Sequence, residues 1–214
     1  MWHRLCEPME SMEDFRMLPT RCLRTVLRSA TIVSVALLVS GCAFGTRHVT
    51  LLPVKPETAS KLAQPASIVV LPVIDKRDDP SIGCVRNGFY MRTAEVVADN
   101  SVADWVTQSL SESLADSGFS VKTAKASDSD LVLQGELLKL FCNSYMSIKG
   151  RATLSVKITK GSQTILEKTY EGTRSRLNWV AASGEFRGAA RNALQAVMEE
   201  AVPEICTAAG KAGP

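Results

Sequence analysis

Asp75, Arg77, Asp78 and Asp79 place four charged side chains within five consecutive positions, and Glu95 and Asp99 follow downstream. Carboxylates gathered in this way could coordinate Ca²⁺, whose shell is built from oxygen ligands, or divide acid and base duties in a hydrolysis. The same residues read more simply as a solvated loop with Arg77 paired locally, because their spacing matches no calcium-loop pattern. The chain has two histidines. His3 lies near the start and His48 in a stretch expected to be a tether, so neither offers an imidazole to a folded core. A Ser-His-Asp or Cys-His arrangement would then lack its base, and a histidine-based zinc site its ligands. No G-x-S-x-G, P-loop or G-x-G-x-x-G motif occurs. The residues predict no catalytic centre, no metal and no cofactor. A calcium-binding or hydrolytic loop at 75–79 is the lesser alternative.

Of the six cysteines, Cys42 sits in the most informative context. Arg21, Arg24 and Arg28 precede an uncharged run from Thr31 to Val39, and Ser40-Gly41-Cys42 follows. A basic n-region, a short apolar h-region and small residues before a cut site make a secretory signal. The run is about half of the ~20 apolar residues that a membrane-spanning helix requires. Leu38-Val39-Ser40-Gly41-Cys42 resembles a bacterial lipobox. That resemblance implies a diacylglyceryl group on Cys42, cleavage before it and N-acylation of the new terminus. Several acyl chains, at about 0.8 kcal/mol per buried CH₂, then hold the chain on a bilayer. Ala43 is not Asp, which by the sorting pattern of enteric lipoproteins implies the outer membrane and a periplasm-facing domain. Glu7, Glu10, Glu13 and Asp14 are unwelcome in an n-region, so residues 1–16 read as a mis-assigned start and Met17 offers a second one.

Residues 1–41 hold five of the 25 basic and four of the 22 acidic residues, so the chain from Cys42 onward keeps 20 and 18, a net of +2. That balance argues against nucleic-acid binding, which calls for a strongly basic face. The remaining length suits one domain. Residues 42–66 read as the lipidated Cys and a tether, interrupted by Pro53, Pro56 and Pro65 and lacking a period of 2 or 3.6. The apolar patch from Val49 to Val54 allows the alternative that this part joins the sheet as an edge strand. Residues 67–206 form the expected domain, and 207–214 a flexible tail.

Within the domain, Ile68 to Ile74 is an almost continuous apolar run, as expected of a strand covered on both faces, with Pro72 forcing an edge or a bulge. A second extended piece runs from Phe89 to Val97. Ser101, with Asp104 three residues on, suits a helix N-cap. Val102, Trp105, Val106, Leu110 and Leu114 share one stripe, and Gly118 suits the left-handed cap. Phe119 to Lys122 is a short strand. From Leu131 to Phe141 the inward set shifts from Leu131/Leu133 to Leu138/Leu140, which predicts a β-bulge near Glu136 to Leu138. Met146, Ile148, Ala152, Leu154, Val156 and Ile158 alternate with polar neighbours, the pattern of a strand with one buried face. Gly161-Ser162 turns into Thr164 to Gly172. A closing helix from Ser183 turns Phe186, Ala190, Ala193, Val197 and Ala201 inward, and Pro203 ends or kinks it. The order predicts an α+β fold: a two-layer sandwich with one mixed, mostly antiparallel sheet and two main helices on one face.

The strand into Asp75-Lys76-Arg77, then Ile82-Gly83, Arg86-Asn87-Gly88 and the helix ending in Gly118-Phe119 together resemble the YajG-type outer-membrane lipoproteins, over roughly residues 43–206. The resemblance implies an envelope location and a small α/β fold similar to that of periplasmic auxiliary lipoproteins. It carries over no catalytic residue. The expected role is a non-catalytic binding or accessory module with an envelope protein partner. The alternative is an accessory subunit of an envelope transport or peptidoglycan-synthesis machine.

The loop from Asp75 to Arg92 is long enough to be functional. Asp75 and Arg77 would brace it, and Arg86 and Tyr90 would present its binding tip. Phe89 and Met91 either join that tip or alternate into the core. Cys84 and Cys142 are expected at the same end of the sheet. A bridge between them would contribute about 4–5 kcal/mol in the chain-entropy model, and three buried thiols are the alternative. Two basic groupings remain, Lys149/Arg151/Lys157 and Arg174/Arg176/Arg187/Arg191. They protect a sheet edge, or they meet anionic glycan, phospholipid headgroups or an acidic partner.

Overall fold

A computed structural model of the chain describes residues 45–57, 61–62, 64–122, 131–177 and 181–212. The chain divides into two units, Met1–Ala43 and Phe44–Pro214, and the described residues all belong to the second. The expected signal segment, the lipobox-like run and Cys42 lie outside them.

One long strand organises the sheet. Strand β7 (Leu131–Ser144) pairs along its full length with antiparallel β8 (Ser147–Lys160), and β8 pairs in turn with β9 (Gln163–Leu177). The other side of β7 is shared by three short parallel strands: β2 (Ala66–Val70), β3 (Ile74–Asp75) and β4 (Gly83–Arg86). The chain between β2 and β3 leaves the ladder at Pro72, which has no N–H to give. The backbone amide of Leu71 donates to Leu133 at 3.0 Å, whereas that of Val73 donates to the hydroxyl of Thr107 at 2.9 Å. The expected break at Pro72 is therefore a change of hydrogen-bond partner from sheet to helix.

Beyond β4 lie antiparallel β5 (Arg92–Ala98) and then β1 (Arg47–Val49), which runs parallel to β5. Beyond β2 lies parallel β6 (Phe119–Lys122). The sheet is mixed. Its two longest pairings are antiparallel, but the β1–β5, β2–β6, β2–β7, β3–β7 and β4–β7 pairings are parallel. The short strands β2, β3 and β4 supply three of the parallel pairings, beside the long antiparallel ladders of β7, β8 and β9. The β-bulge falls where expected: Leu138 has no partner, and the buried set moves from Leu133, Gly135 and Leu137 to Leu140 and Cys142. The inward member of the pair is Leu140, and Leu138 faces solvent.

Helix α1 (Val102–Asp116) buries Val102, Trp105, Val106, Leu110 and Leu114 as its spacing requires. The Ser101 hydroxyl accepts from the Asp104 amide at 3.2 Å, and Gly118 takes the left-handed φ of 98° just past the end. Helix α2 (Ser183–Ala212) packs on β8, β9 and α1. It passes through Pro203, where an end or a kink was expected, and continues to Ala212, so the helix does not end there and 207–212 is helical instead of a loose tail. Ala201, Val202, Ile205, Cys206 and Ala209 stay buried across the proline, and that burial offsets the ~3 kcal/mol an interior proline costs.

The tether also needs correction. Val49, Leu51 and Val54 are core residues. The side-chain amide of Asn100 spans the Leu51 backbone, accepting from its N–H at 2.9 Å and donating to its carbonyl at 3.0 Å. The Trp105 indole donates to the Leu52 carbonyl at 2.6 Å, and the Val54 amide donates to the Ser109 hydroxyl at 3.0 Å. Side chains of α1 and its cap satisfy this backbone, so residues 51–54 need no ladder and show no strand period. The edge-strand alternative holds only at Val49, the last residue of β1, since 50–54 form no strand.

Candidate functional site

In the acidic loop Asp75 and Asp79 are held in ion pairs, while Asp78 is exposed. Arg77 forks onto Asp75, with Nε donating to Oδ1 at 2.9 Å and Nη2 to Oδ2 at 2.8 Å. The Arg77 side chain is only 7% exposed, so the loop folds over it. Asp79 accepts from the Ser81 amide at 2.9 Å and lies 3.6 Å from Arg92. These carboxylates face protein donors, and no group of three potential metal ligands forms among the described residues. The arrangement braces a turn.

The side-chain hydrogen bonds from Arg77 are the main cause holding the Asp75 carboxyl below its ordinary value of 3.8. A carboxylate depressed in the folded state stabilises the fold above its unfolded pKa, and that contribution is lost as pH falls through the folded value. The wild-type urea midpoint should therefore fall more steeply below about pH 4 than that of Asp75→Asn. At neutral pH the variant should be less stable by about 1–2 kcal/mol, a figure reduced for the partial exposure of Asp75. Parallel pH profiles would disprove the pairing.

Beyond the brace, strands β4 and β7 run side by side, with Val85 opposite Ser144. Their following turns, 87–91 and 145–146, consequently emerge at the same end of the sheet. Arg86 holds them together. Its Nε donates to the Asn143 side-chain carbonyl at 3.0 Å and its Nη1 to the Tyr90 carbonyl at 2.8 Å, while its guanidinium sits 4.6 Å from the Tyr90 ring centre. The side-chain oxygen of Asn87 accepts from the amides of Phe89 and Met91, both at 3.0 Å, a short-range turn bond typical of Asn. Tyr90 adopts a φ of 67°, which turns its ring onto Tyr145 with the centroids 5.1 Å apart, edge to face. The Tyr145 hydroxyl donates to the Gly88 carbonyl at 3.2 Å.

These bonds hold apolar groups in water. Phe89 is 86% exposed, Met146 76% and Leu177, at the end of β9 opposite Ser147, 75%. Tyr90, Met91 and Tyr145 are exposed beside them. Phe89 and Met91 thus join the tip and do not alternate into the core. Of the expected binding residues, Arg86 and Tyr90 come together here, while Asp75 and Arg77 form the separate brace below. Tyr145, Met146 and Leu177 were missed. The inward alternation begins only at Ile148, because Met146 lies in the bend before β8 opens at Ser147.

His48 also requires revision. It belongs to β1, and its Nδ1 lies 2.9 Å from Asp99 Oδ1. The Thr50 hydroxyl donates to the other Asp99 oxygen at 3.1 Å. An imidazole is present in the folded unit after all, but the hydroxyl bonds to the carboxylate and not to the ring, so no nucleophile–base pair forms there. Cys84 and Cys142 do sit at the same end of the sheet, yet they are free thiols on opposite faces. Gly83, not Cys84, is opposite Cys142. The Cys84 thiol points to the Asn143 side chain, and that of Cys142 to the Phe186 carbonyl. A one-residue offset on a period of 2 separates them. Burial pushes the Cys142 thiol up to about 12, and burial raises the Cys206 thiol as well.

With this geometry established, comparison with known proteins places the chain. The sequence model of a family described as "Uncharacterized lipoprotein" matches residues 54–207. The chain belongs to this lipoprotein family. The match begins within the buried 51–54 segment and ends in the last turns of α2, so it spans nearly all of the sheet and both helices. None of the curated proteins matches the chain. Among solved structures, the chain is similar in fold to protein XCC0632 from Xanthomonas campestris, family-model DUF330, at 18% identity and a TM-score of 0.59, over 78% of this lipoprotein and 98% of that chain. The hypothetical protein CT253 from Chlamydia trachomatis aligns at 11% identity and a TM-score of 0.49, over 68% and 98%. Lipoprotein GNA1162 from Neisseria meningitidis aligns at 13% and 0.34, over 54% and 88%.

Proposed function

We propose that the protein is an outer-membrane lipoprotein, acylated on Cys42 and facing the periplasm, and that it acts as a non-catalytic binding or accessory module. Its binding surface is the tip of the β4–β5 and β7–β8 hairpins on a two-layer α+β domain. Membership of a lipoprotein family supports the anchor. The observation that carries the binding surface is the exposed cluster of Phe89, Tyr90, Met91, Tyr145, Met146 and Leu177, held in place by Arg86, Asn87 and Asn143. Large apolar side chains held rigidly in water at one end of a sheet mark an interaction site. Acid–base chemistry has less support, since the grouped carboxylates of Asp75 and Asp79 are engaged by Arg77, Ser81 and Arg92.

A photoreactive residue at position 89, in the full-length chain in intact cells, should give an adduct with whatever the tip binds. The same residue at Thr164, exposed at the opposite end of the sheet, should give none. Arg86→Ala combined with Tyr90→Ala should abolish the position-89 adduct while lowering stability by no more than about 1 kcal/mol, because these bonds are solvent-exposed. An adduct at 164 and none at 89 would place the interface elsewhere.

A further inference from the structure

The fold fixes which end of the domain an anchor at Cys42 can bring to a membrane. Strand β1 runs parallel to β5, and β5 leads away from the hairpin tip. The chain therefore enters β1 at Arg47 from the tip side. Arg47 lies opposite Val96, Val96 opposite Gly83, Gly83 opposite Cys142, and Cys142 opposite Gly150, so all five share one level along the strands. From Val96 back to Arg92, at the base of the tip, is four residues or about 13 Å. From Cys42 to Arg47 is five residues, which span at most about 17 Å. From Gly150 to Lys160, at the far end of β8, is ten residues or about 33 Å. Five residues are long enough to let an acylated Cys42 reach the level of the tip and too short to let it reach the opposite end.

The chemistry of that end matches the geometry. Phe89, Met146 and Leu177 project furthest into solvent, and the Tyr90–Tyr145 pair sits with its hydroxyls bonded at the base of the cluster. Apolar tips with tyrosines set behind them are the composition favoured where hydrocarbon gives way to headgroups. Cations flank the cluster on its β8, β9 and α2 side. Lys149 and Arg176 are exposed on the ends of β8 and β9 nearest the tip. Helix α2 starts at this end, since Gly150 lies beneath Ala189 and Gly172 beneath Ala193, and it presents Arg187 in its first turns. The one acidic residue of that helix start, Glu185, is engaged by the Ala182 amide at 3.1 Å. Basic side chains beside an apolar tip suit an anionic lipid surface.

We infer that the hairpin tip is a membrane-contacting surface: it seats at the boundary of headgroups and acyl chains in the same bilayer that holds the Cys42 anchor. This deepens the binding role proposed above and rests on acylation of Cys42. Two points of contact fix the domain's orientation, with the β8–β9 turn and the C-terminal end of α2 directed away from the membrane.

The test uses the full-length lipidated chain reconstituted in vesicles of phosphatidylethanolamine and phosphatidylglycerol. Phe89→Trp and, on the second hairpin, Met146→Trp report the tip, and Thr164→Trp reports the opposite end. Wild-type emission is subtracted. All three sites are exposed, so the substitutions leave the core intact. In vesicles whose acyl chains are brominated, the added emission at 89 and 146 should shift to the blue and lose most of its intensity, while that at 164 should match its value in detergent. If the acylated chain floats with the vesicles but the emission at 89 and 146 is quenched only by aqueous acrylamide, this inference is overturned. The tip is then free for a protein partner, and the binding role stands. If the chain carries no acyl group and does not float, the anchor reading fails and this inference falls with it.

Discussion

Gly172→Val should destabilise the domain by about 3 kcal/mol or more, the upper end of the cost of overpacking. A Cβ at Gly172 would collide with the Ala193 carbonyl oxygen and lie 2.9 Å from the Val197 nitrogen and 3.0 Å from the Ala196 Cβ. Two of these three atoms are helix backbone, which cannot rotate out of the way as a side chain can. Gly150, on the same face of the neighbouring strand, meets the Ala189 carbonyl in the same manner. Helix α2 therefore rests on a floor of glycines with alanines facing it, closer than any side chain would allow. To accept the added isopropyl group the helix must lift, and it would uncover Leu154, Val156 and Tyr170 as it did so. Gly188→Ala is the control. That position is on the same helix with nothing within 4 Å, and removing a helical glycine should raise stability by about 0.5–1 kcal/mol. Urea denaturation of the three chains decides the matter. Equal midpoints for wild type and Gly172→Val would mean that α2 does not pack on β9 as described.

That glycine floor was invisible in the sequence, and the reason is physical. Gly150 and Gly172 lie inside otherwise ordinary strand patterns, and only the identity of the overlying element gives them meaning. What was legible had a local cause. The stripe of Val102, Trp105, Val106, Leu110 and Leu114, the Ser101 cap, the left-handed Gly118 and the bulge at Leu138 all follow from periods and single-residue preferences. What was missed depended on distant partners. Residues 51–54 looked like a tether because their backbone is satisfied by Asn100, Ser109 and Trp105, nearly fifty or more positions away. Pro203 looked like an end or a kink, and the buried face that carries α2 past it belongs to tertiary packing. The cysteine pairing failed on parity, which requires the register of β4 against β7 to within one residue. At the tip, the aromatic and arginine content of 86–91 pointed to a surface for binding. The contribution of Tyr145, Met146 and Leu177 needed the parallel β4–β7 pairing, which brings two turns 57 positions apart into contact.

The proposed anchor carries the largest consequence for the cell. Cys42 supplies the only thiol in a context that resembles a lipobox, and among the described residues no helix is long and apolar enough to cross a membrane. Cys42→Ser should therefore abolish acylation outright, and with it the tight, salt-resistant attachment that several acyl chains confer. The fold should be unaffected, because the substitution precedes β1. The tip alone would leave at most a weak, salt-sensitive association, since electrostatic and shallow apolar contacts are screened or reversible. Mass spectrometry of the mature N-terminus, with membrane fractionation of wild type and Cys42→Ser in parallel, tests the whole account. The predicted result is a chain beginning at an acylated Cys42 in the outer-membrane fraction, and a Cys42→Ser variant with no acyl mass that washes from membranes in high salt. A wild-type chain without acyl mass, or a Cys42→Ser variant that stays in the membrane fraction as firmly as wild type, would contradict it.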